Sequence, residues 1–270
     1  MGFRAVRFVA PGFALLSTAA PAAVPLTPVK PWLVDFDTVQ CHAEREYRDD
    51  RGSVMLGIRP APTGDTYELL VARNRAGPRF GRQFVGSVDF GKGPIKAWLL
   101  NYGTSDPPLD IMKFRISATE MAQAKTARNI LFHIRGRDDV AFAVTAISDL
   151  ITTLDQCTTA LQDHWNMTSE KREGLRDLPK GDLRKIFTFE DYPHEALSRG
   201  QEGAAQFLLF IDEQGSVAAC HVFKPSGIPA LDAMGCQTIR ERGKFKPAVD
   251  HNGKPARSAY ITPPVQWRLA

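Results

Sequence analysis

The sequence is poor in the signatures that most readily reveal chemistry. It has no His-Glu-x-x-His run, no Cys-x-x-Cys pair and no phosphate-loop spacing. Zinc hydrolysis, thiol redox exchange and nucleotide binding through those motifs therefore have no support. Gly91-Lys92-Gly93 reads as a turn, and His42 and His133 read as structural because no ligand partner stands at a suitable spacing. No catalytic residue, metal ligand or cofactor site is assigned. Charge is also unremarkable: 34 Lys and Arg against 30 Asp and Glu give a net +4. No long run of one sign appears, so nucleic acid is not expected as a partner. Arg73, Arg75, Arg79 and Arg82 cluster between two strands and read as a solvated loop, with an anionic ligand as the alternative.

Long apolar runs are scarce too. The one near the N-terminus, Phe8 to Leu16, is interrupted by Pro11-Gly12 and falls short of the roughly 20 residues a spanning helix wants. Arg4 and Arg7 precede it, and Ala19-Ala20-Pro21-Ala22-Ala23 follows with small residues at cleavage-site spacing. Residues 1–23 read as a cleaved signal peptide, the alternative being an uncleaved inner-membrane anchor. Export suits the even number of cysteines, Cys41, Cys157, Cys220 and Cys236, which allow three disulfide pairings.

What is present falls into two α+β domains. In the first, residues 29–166, apolar alternation between turn clusters gives strands at Trp32–Tyr47, Ser53–Ile58, Tyr67–Ala72, Phe84–Phe90, Ile95–Tyr102, Ile111–Ile116 and Ile130–Ile134, with a short helix at Thr119–Ala127. From Asp138, a candidate N-cap, Val140, Ala143, Val144, Ile147, Leu150, Ile151, Leu154, Cys157 and Leu161 recur at helical spacing. They predict a helix of about 25 residues ending near Trp165. This domain is expected to be mostly antiparallel β closed by one long helix. Cys41 lies in its first strand and Cys157 on that helix, so Cys41–Cys157 is the expected bond within it.

Residues 167–188 are dense in charge, broken by Gly174 and Pro179-Lys180-Gly181, and read as an exposed linker. The second domain, residues 189–270, shows a short helix after Pro193, strands at Gly203–Ile211 and Ser216–Phe223 around an Asp212-Glu213-Gln214-Gly215 turn, a helix at Pro229–Arg242 and a last strand from Ala256 to Leu269. A three-stranded antiparallel sheet covered by helices on one face is expected. A Cys220–Cys236 bond would tie sheet to helix.

Within this second domain the Tyr192-Pro193 opening and the Ile211-Asp212-x-x-Gly215 hairpin come first. Ser226-Gly227-x-x-x-Leu231-Asp232, Phe245-x-Pro247-Ala248 and Pro264-Val265-x-Trp267-Arg268-Leu269 follow in order. Together they resemble the C-terminal domain of the TonB family of Gram-negative cell-envelope proteins, over residues about 190–269. The resemblance implies a periplasmic protein active in transport and protein binding, without catalysis. Members similar to it offer the last strand as a sheet edge to the TonB box, a short peptide of an outer-membrane transporter, which adds as an extra strand. Here the matching edge is Arg257, Ser258, Ala259, Tyr260, Ile261, Thr262 and Val265, with Tyr260 and Trp267 as aromatic anchors or, for Trp267, a core residue.

The chain departs from the family pattern. It lacks a long Pro-Lys or Pro-Glu stretch and carries a folded domain in its place. Phe189-Glu190-Asp191 stands where well-studied members have glutamine, and Pro263-Pro264 removes two donors from the edge. The expectation is a periplasmic binding protein that grips a transporter or envelope peptide by β-augmentation. The alternative is a TonB-type energy transducer held in the inner membrane by an uncleaved N-terminus. A homodimer through the last strand is a further expectation.

Overall fold

The computed structural model describes residues 23–77, 81–104 and 106–269. The expected signal peptide, all but its last residue, and Arg79 lie outside the described residues. Among the described residues no helix is long and apolar enough to cross a membrane.

The first part is one antiparallel sheet of nine strands. These are β1 (Leu33–Phe36), β2 (Cys41–Asp49), β3 (Gly52–Pro60), β4 (Thr66–Arg73), β5 (Arg82–Asp89), β6 (Pro94–Gly103), β7 (Asp110–Ser117), β8 (Asn129–Ile134) and β9 (Val140–Ala143), in the spatial order β1-β2-β3-β4-β7-β6-β5-β8-β9. The residues before β1 close it. Leu26 exchanges backbone hydrogen bonds with Ala141 and Ala143 at 2.8 and 2.9 Å, and Val29 donates to the Glu46 carbonyl at 3.0 Å. They bridge the β9 edge back to β2, so the sheet closes into a barrel. Alternation decides the interior: Ala43 and Tyr47, then Val54, Leu56 and Ile58, then Leu69 and Val71 are buried, while their neighbours face outward. Tyr47, Phe114, Phe132 and Phe142 fill the middle, with Tyr47 edge-on to Phe142 at 4.8 Å.

Two expectations for this part are corrected. The strand expected over Trp32–Tyr47 is two strands, because Asp37 N–H turns back to the Gln40 carbonyl at 3.1 Å. The helix expected from Asp138 begins only at Ile147. Residues 140–143 are strand β9, paired with β8, and Ala146 turns the chain at φ 56° into α2 (Ile147–His164), after the short helix α1 (Ala118–Met121). Val140 and Val144 share a face under either period, four residues apart, so they did not decide between helix and strand. Phe142, off the helical stripe, packs between Tyr47 and Phe132 and settles the choice. Helix α2 lays Ile147, Leu150, Ile151, Leu154 and Leu161 against β2, β3 and the turn at 122–126, and Cys41 is disulfide-bonded to Cys157 with Cα atoms 6.1 Å apart.

The second part contains α3 (Ser169–Glu173), β10 (Leu175–Asp177), α4 (His194–Ser198), β11 (Gly203–Ile211), β12 (Val217–Lys224), α5 (Pro229–Arg242), β13 (Ala248–Asp250), β14 (Pro255–Ala256), β15 (Ser258–Ile261) and β16 (Val265–Trp267). Strand β11 is central: β12 pairs on one side, and β15 then β16 pair in sequence on the other. The expected last strand is thus broken at Thr262-Pro263-Pro264, and β14 belongs to a small separate ribbon, β10-β13-β14. Phe207, Leu209 and Ile211 face α5, where Gly235 admits the Phe207 ring; a Cβ there would stand 2.4 Å from it. Cys220 and Cys236 are bonded across this layer with Cα atoms 5.5 Å apart.

The other face of this sheet is not open, as a sheet covered on one side would be. Leu208, Phe210, Ala219 and Ala259 belong to the same apolar core as the barrel and α2. Trp165 at the end of α2 stacks on Phe210 and donates its indole N–H to the Thr38 carbonyl at 2.6 Å. Residues 167–188 also differ from an exposed linker. Strand β10 pairs with β13, Lys180 and Lys246 exchange backbone hydrogen bonds at 3.1 and 2.8 Å, and Leu183, Ile186 and Phe187 pack on the second core.

Candidate functional site

The expected edge strand is divided by the structure into two halves with different surroundings. The first half lies at the junction with α2. The Arg257 carbonyl accepts from the Asn166 side chain at 2.7 Å. Its guanidinium pairs with Glu213 at 2.7 Å and lies 5.8 Å over the Trp165 ring. Ser258 is fully buried opposite Ile211. Ala259 N–H, which points away from β11, donates to the Trp165 carbonyl at 3.0 Å. At Arg257 to Ala259 the outer side of the strand is therefore already covered by the chain itself.

The second half borders a groove. By the two-residue alternation of a strand, the backbone groups of Ile261 point the same way as those of Ala259, away from β11, and Ile261 is 46% exposed. Thr262 turns inward: its N–H donates to the Phe207 carbonyl at 2.9 Å and its hydroxyl accepts from Phe207 N–H at 3.0 Å. This side-chain substitution for a ladder bond carries the strand past the two prolines, and Val265 resumes pairing opposite Ala205. Along Tyr260 and Pro263 to Arg268 runs a cavity of about 780 Å³ whose far wall is Gly181 to Phe189.

That wall is held in place by specific contacts. Gly181 lies flat on the Phe245 ring, where any Cβ would come within 2.4 Å. Thr188 and Asp191 cap a short turn, with Thr188 N–H donating to the Asp191 carboxylate at 2.7 Å. Asp191 is clasped by Arg242 of α5 through two hydrogen bonds of 2.9 and 2.7 Å, and Arg242 also donates to the Ile186 carbonyl at 3.1 Å. Burial works to raise the Asp191 carboxyl, but the Arg242 pair and the Thr188 donors outweigh it and hold the group below its ordinary range. The groove floor is aromatic. Trp267 is buried, with Phe187 and Tyr192 each edge-on to it at 5.5 Å, and the Tyr192 hydroxyl is tied to the Gln201 carbonyl at 2.6 Å. Tyr260 leans on Phe245 at 5.4 Å. Trp267 thus fills the core and lines the groove at once.

Of the residues expected at the edge, the groove brings together Tyr260 and Val265. Ile261 is exposed but does not line it, Arg257, Ser258 and Ala259 lie at the domain junction, and Thr262 bonds inward. The wall from Gly181 to Phe189 was missed because its charges read as a linker; the signal was Ile186-Phe187-Thr188-Phe189, apolar residues inside a charged stretch. The arginines between β4 and β5 do not form one open cluster. Arg73 is buried beside Asp49 at 2.7 Å and Arg75 pairs with Asp110 at 2.6 Å.

Residues 190–269 match the model of a protein family described as Gram-negative bacterial TonB protein C-terminal. No curated protein and no solved structure matches the chain.

Proposed function

With residues 190–269 placed in the TonB C-terminal family, a transport-associated domain of the Gram-negative envelope, we propose that this protein binds an extended peptide of an outer-membrane transporter or another envelope protein by β-augmentation, without catalysis. The observation that carries the reading is the groove along Tyr260 and Pro263 to Arg268, next to the exposed Ile261 in the chain. It offers strand-edge groups next to an aromatic floor, and its 780 Å³ holds a short peptide. Main-chain hydrogen bonds supply affinity, and Phe187, Tyr192, Tyr260 and Trp267 offer pockets for alternate side chains. The prolines confine augmentation to positions on either side of them. The same reading places the protein in the periplasm behind a cleaved signal peptide, with a second copy as a competing occupant of the edge.

The test is a titration of ¹⁵N-labelled protein with a synthetic TonB-box peptide. Saturable shifts at Ile261, Gln266 and Phe189, with the β12 edge unmoved, are the expected result. Shifts confined to β12, or none at millimolar peptide, sink the proposal. Concentration-dependent shifts at Ile261 without peptide identify a second copy as the occupant.

A further inference from the structure

A second cavity, independent of the groove, lies between the two parts of the chain. Its volume is about 370 Å³, within the range of small-molecule pockets, which favour domain interfaces. The barrel contributes Arg59, Glu68, Lys113 and Arg115; the second sheet contributes β12 residues 218–222, and α5 contributes Arg240.

The strand register explains why these charges meet. Arg59 lies opposite Glu68 and Glu68 opposite Arg115, in one row across β3, β4 and β7 on the outer face of the barrel. Lys113 stands two residues along β7 on the same face. All three cations converge on one carboxylate. Arg59 Nε is 3.1 Å from Glu68, and Arg115 and Lys113 each approach within 3.0 Å. Glu68 is 7% exposed, and although burial works to raise its carboxyl, Lys113, Arg59 and Arg115 outweigh it and hold the group ionised far below the usual range.

The charges do not balance. Four cations line the cavity against two carboxylates, Glu68 and the exposed Asp37. Among the described residues no ion pair engages Arg240, and one carboxylate cannot saturate the donors of two guanidiniums and an ammonium. His221, on the same wall, adds no charge near neutral pH. Its imidazole, half-buried and beside Arg59, donates Nε2–H to the Val39 carbonyl at 3.1 Å. The wall is therefore a fixed, partly desolvated field of positive sign with donors to spare, which favours an anion.

We propose that this interdomain cavity binds a small soluble oxyanion, a phosphate- or carboxylate-bearing molecule, held by Lys113, Arg115 and Arg240 from both parts of the chain. The test is isothermal titration calorimetry of the full chain with inorganic phosphate and, separately, succinate, at constant ionic strength so that screening is the same throughout. A saturable heat with either anion is expected, weakened at least tenfold in K113Q and in R240Q. Both variants leave Glu68 paired with Arg59 and Arg115, and Arg240 is exposed, so its replacement leaves the fold intact. No saturable heat with either anion, or unchanged affinity in both variants, overturns the proposal. A preference for phosphate over succinate, or the reverse, identifies the ligand's anionic group.

Discussion

The indole of Trp165 lies parallel to the ring of Phe210, centroids 4.7 Å apart and planes 6° from coplanar, and the Trp165 carbonyl also accepts from Ala259 N–H. One residue at the end of α2 therefore seals the second sheet by its face and by its edge. The TonB-like module is not a bead on a string; its sheet face completes the core of the barrel domain.

Replacing Trp165 by Ala removes this stack, the Thr38 hydrogen bond and a buried side chain. A loss of about 3–5 kcal/mol is expected, as for other buried aromatic deletions. Differential scanning calorimetry should resolve the single transition of the wild type into two, because the parts lose their shared core. A single transition at unchanged temperature would contradict the coupling.

The two disulfides close loops of very different length, with sequence separations of 116 and 16. The chain-entropy model assigns about 5 kcal/mol to the first and about 3 kcal/mol to the second. Paired Cys→Ser variants at Cys41 and Cys157 should therefore lower the guanidinium midpoint more than variants at Cys220 and Cys236. The reverse order would point to native-state contacts rather than chain entropy.

His221 gives the fold an acid sensitivity. Burial first, and then Arg59, push its folded value down to about 4 from an ordinary 6.5. The unfolded chain therefore binds the proton more readily. Stability is complete above about pH 6.5 and falls as pH drops from there towards 4, by about 3 kcal/mol in total at 1.36 kcal/mol per unit. His221→Gln, which can still donate to Val39, should flatten urea-derived stability across that window. An unchanged slope would assign the sensitivity to other groups.

Arg242 clamps the groove wall through Asp191. Arg242→Gln leaves a buried carboxylate short of its charge-assisted donors, with an expected loss of about 2 kcal/mol. Peptide affinity should fall with it, and hydrogen exchange at Thr188 and Phe189 should quicken. Quickened exchange with unchanged peptide affinity would mean that this wall takes no part in binding.

Gly181→Ala tests the same wall sterically. The added methyl meets the Phe245 ring, a contact that must be relieved by moving the segment at 180–189. Weaker peptide binding with the barrel core undisturbed is expected, read from near-ultraviolet dichroism and peptide titration together.

Much of the local structure could be read along the chain, because strand alternation and turn residues are short-range signals. The strands from Ser53 to Ile116, the Asp212–Gly215 hairpin turn and the helix from Pro229 stand within a few residues of where the pattern puts them. The helix start at Ile147 could not be read, since Val140 and Val144, four apart, share a face as helix or as strand until β8 offers a partner. The family match at residues 190–269 rests on motif order, which is a property of the sequence alone.

The interface between the two parts had a trace in the sequence, the unbroken apolar run Phe207 to Ile211. A strand buried on one face alternates, and a strand buried on both does not. Nothing in the run says what covers the second face; that depended on Trp165, Thr38 and Ala259, far apart in the chain and brought together by packing. The groove and the charged cavity are tertiary in the same sense. Phe187 meets Trp267, and Arg240 faces Arg59, only because separate elements close over them. The sequence determined most of the elements, the even set of cysteines that forms the two disulfides, and the family match of residues 190–269. The free half of the last strand, and the charges left in excess in the cavity between the two parts, were decided by long-range contacts that no local period encodes.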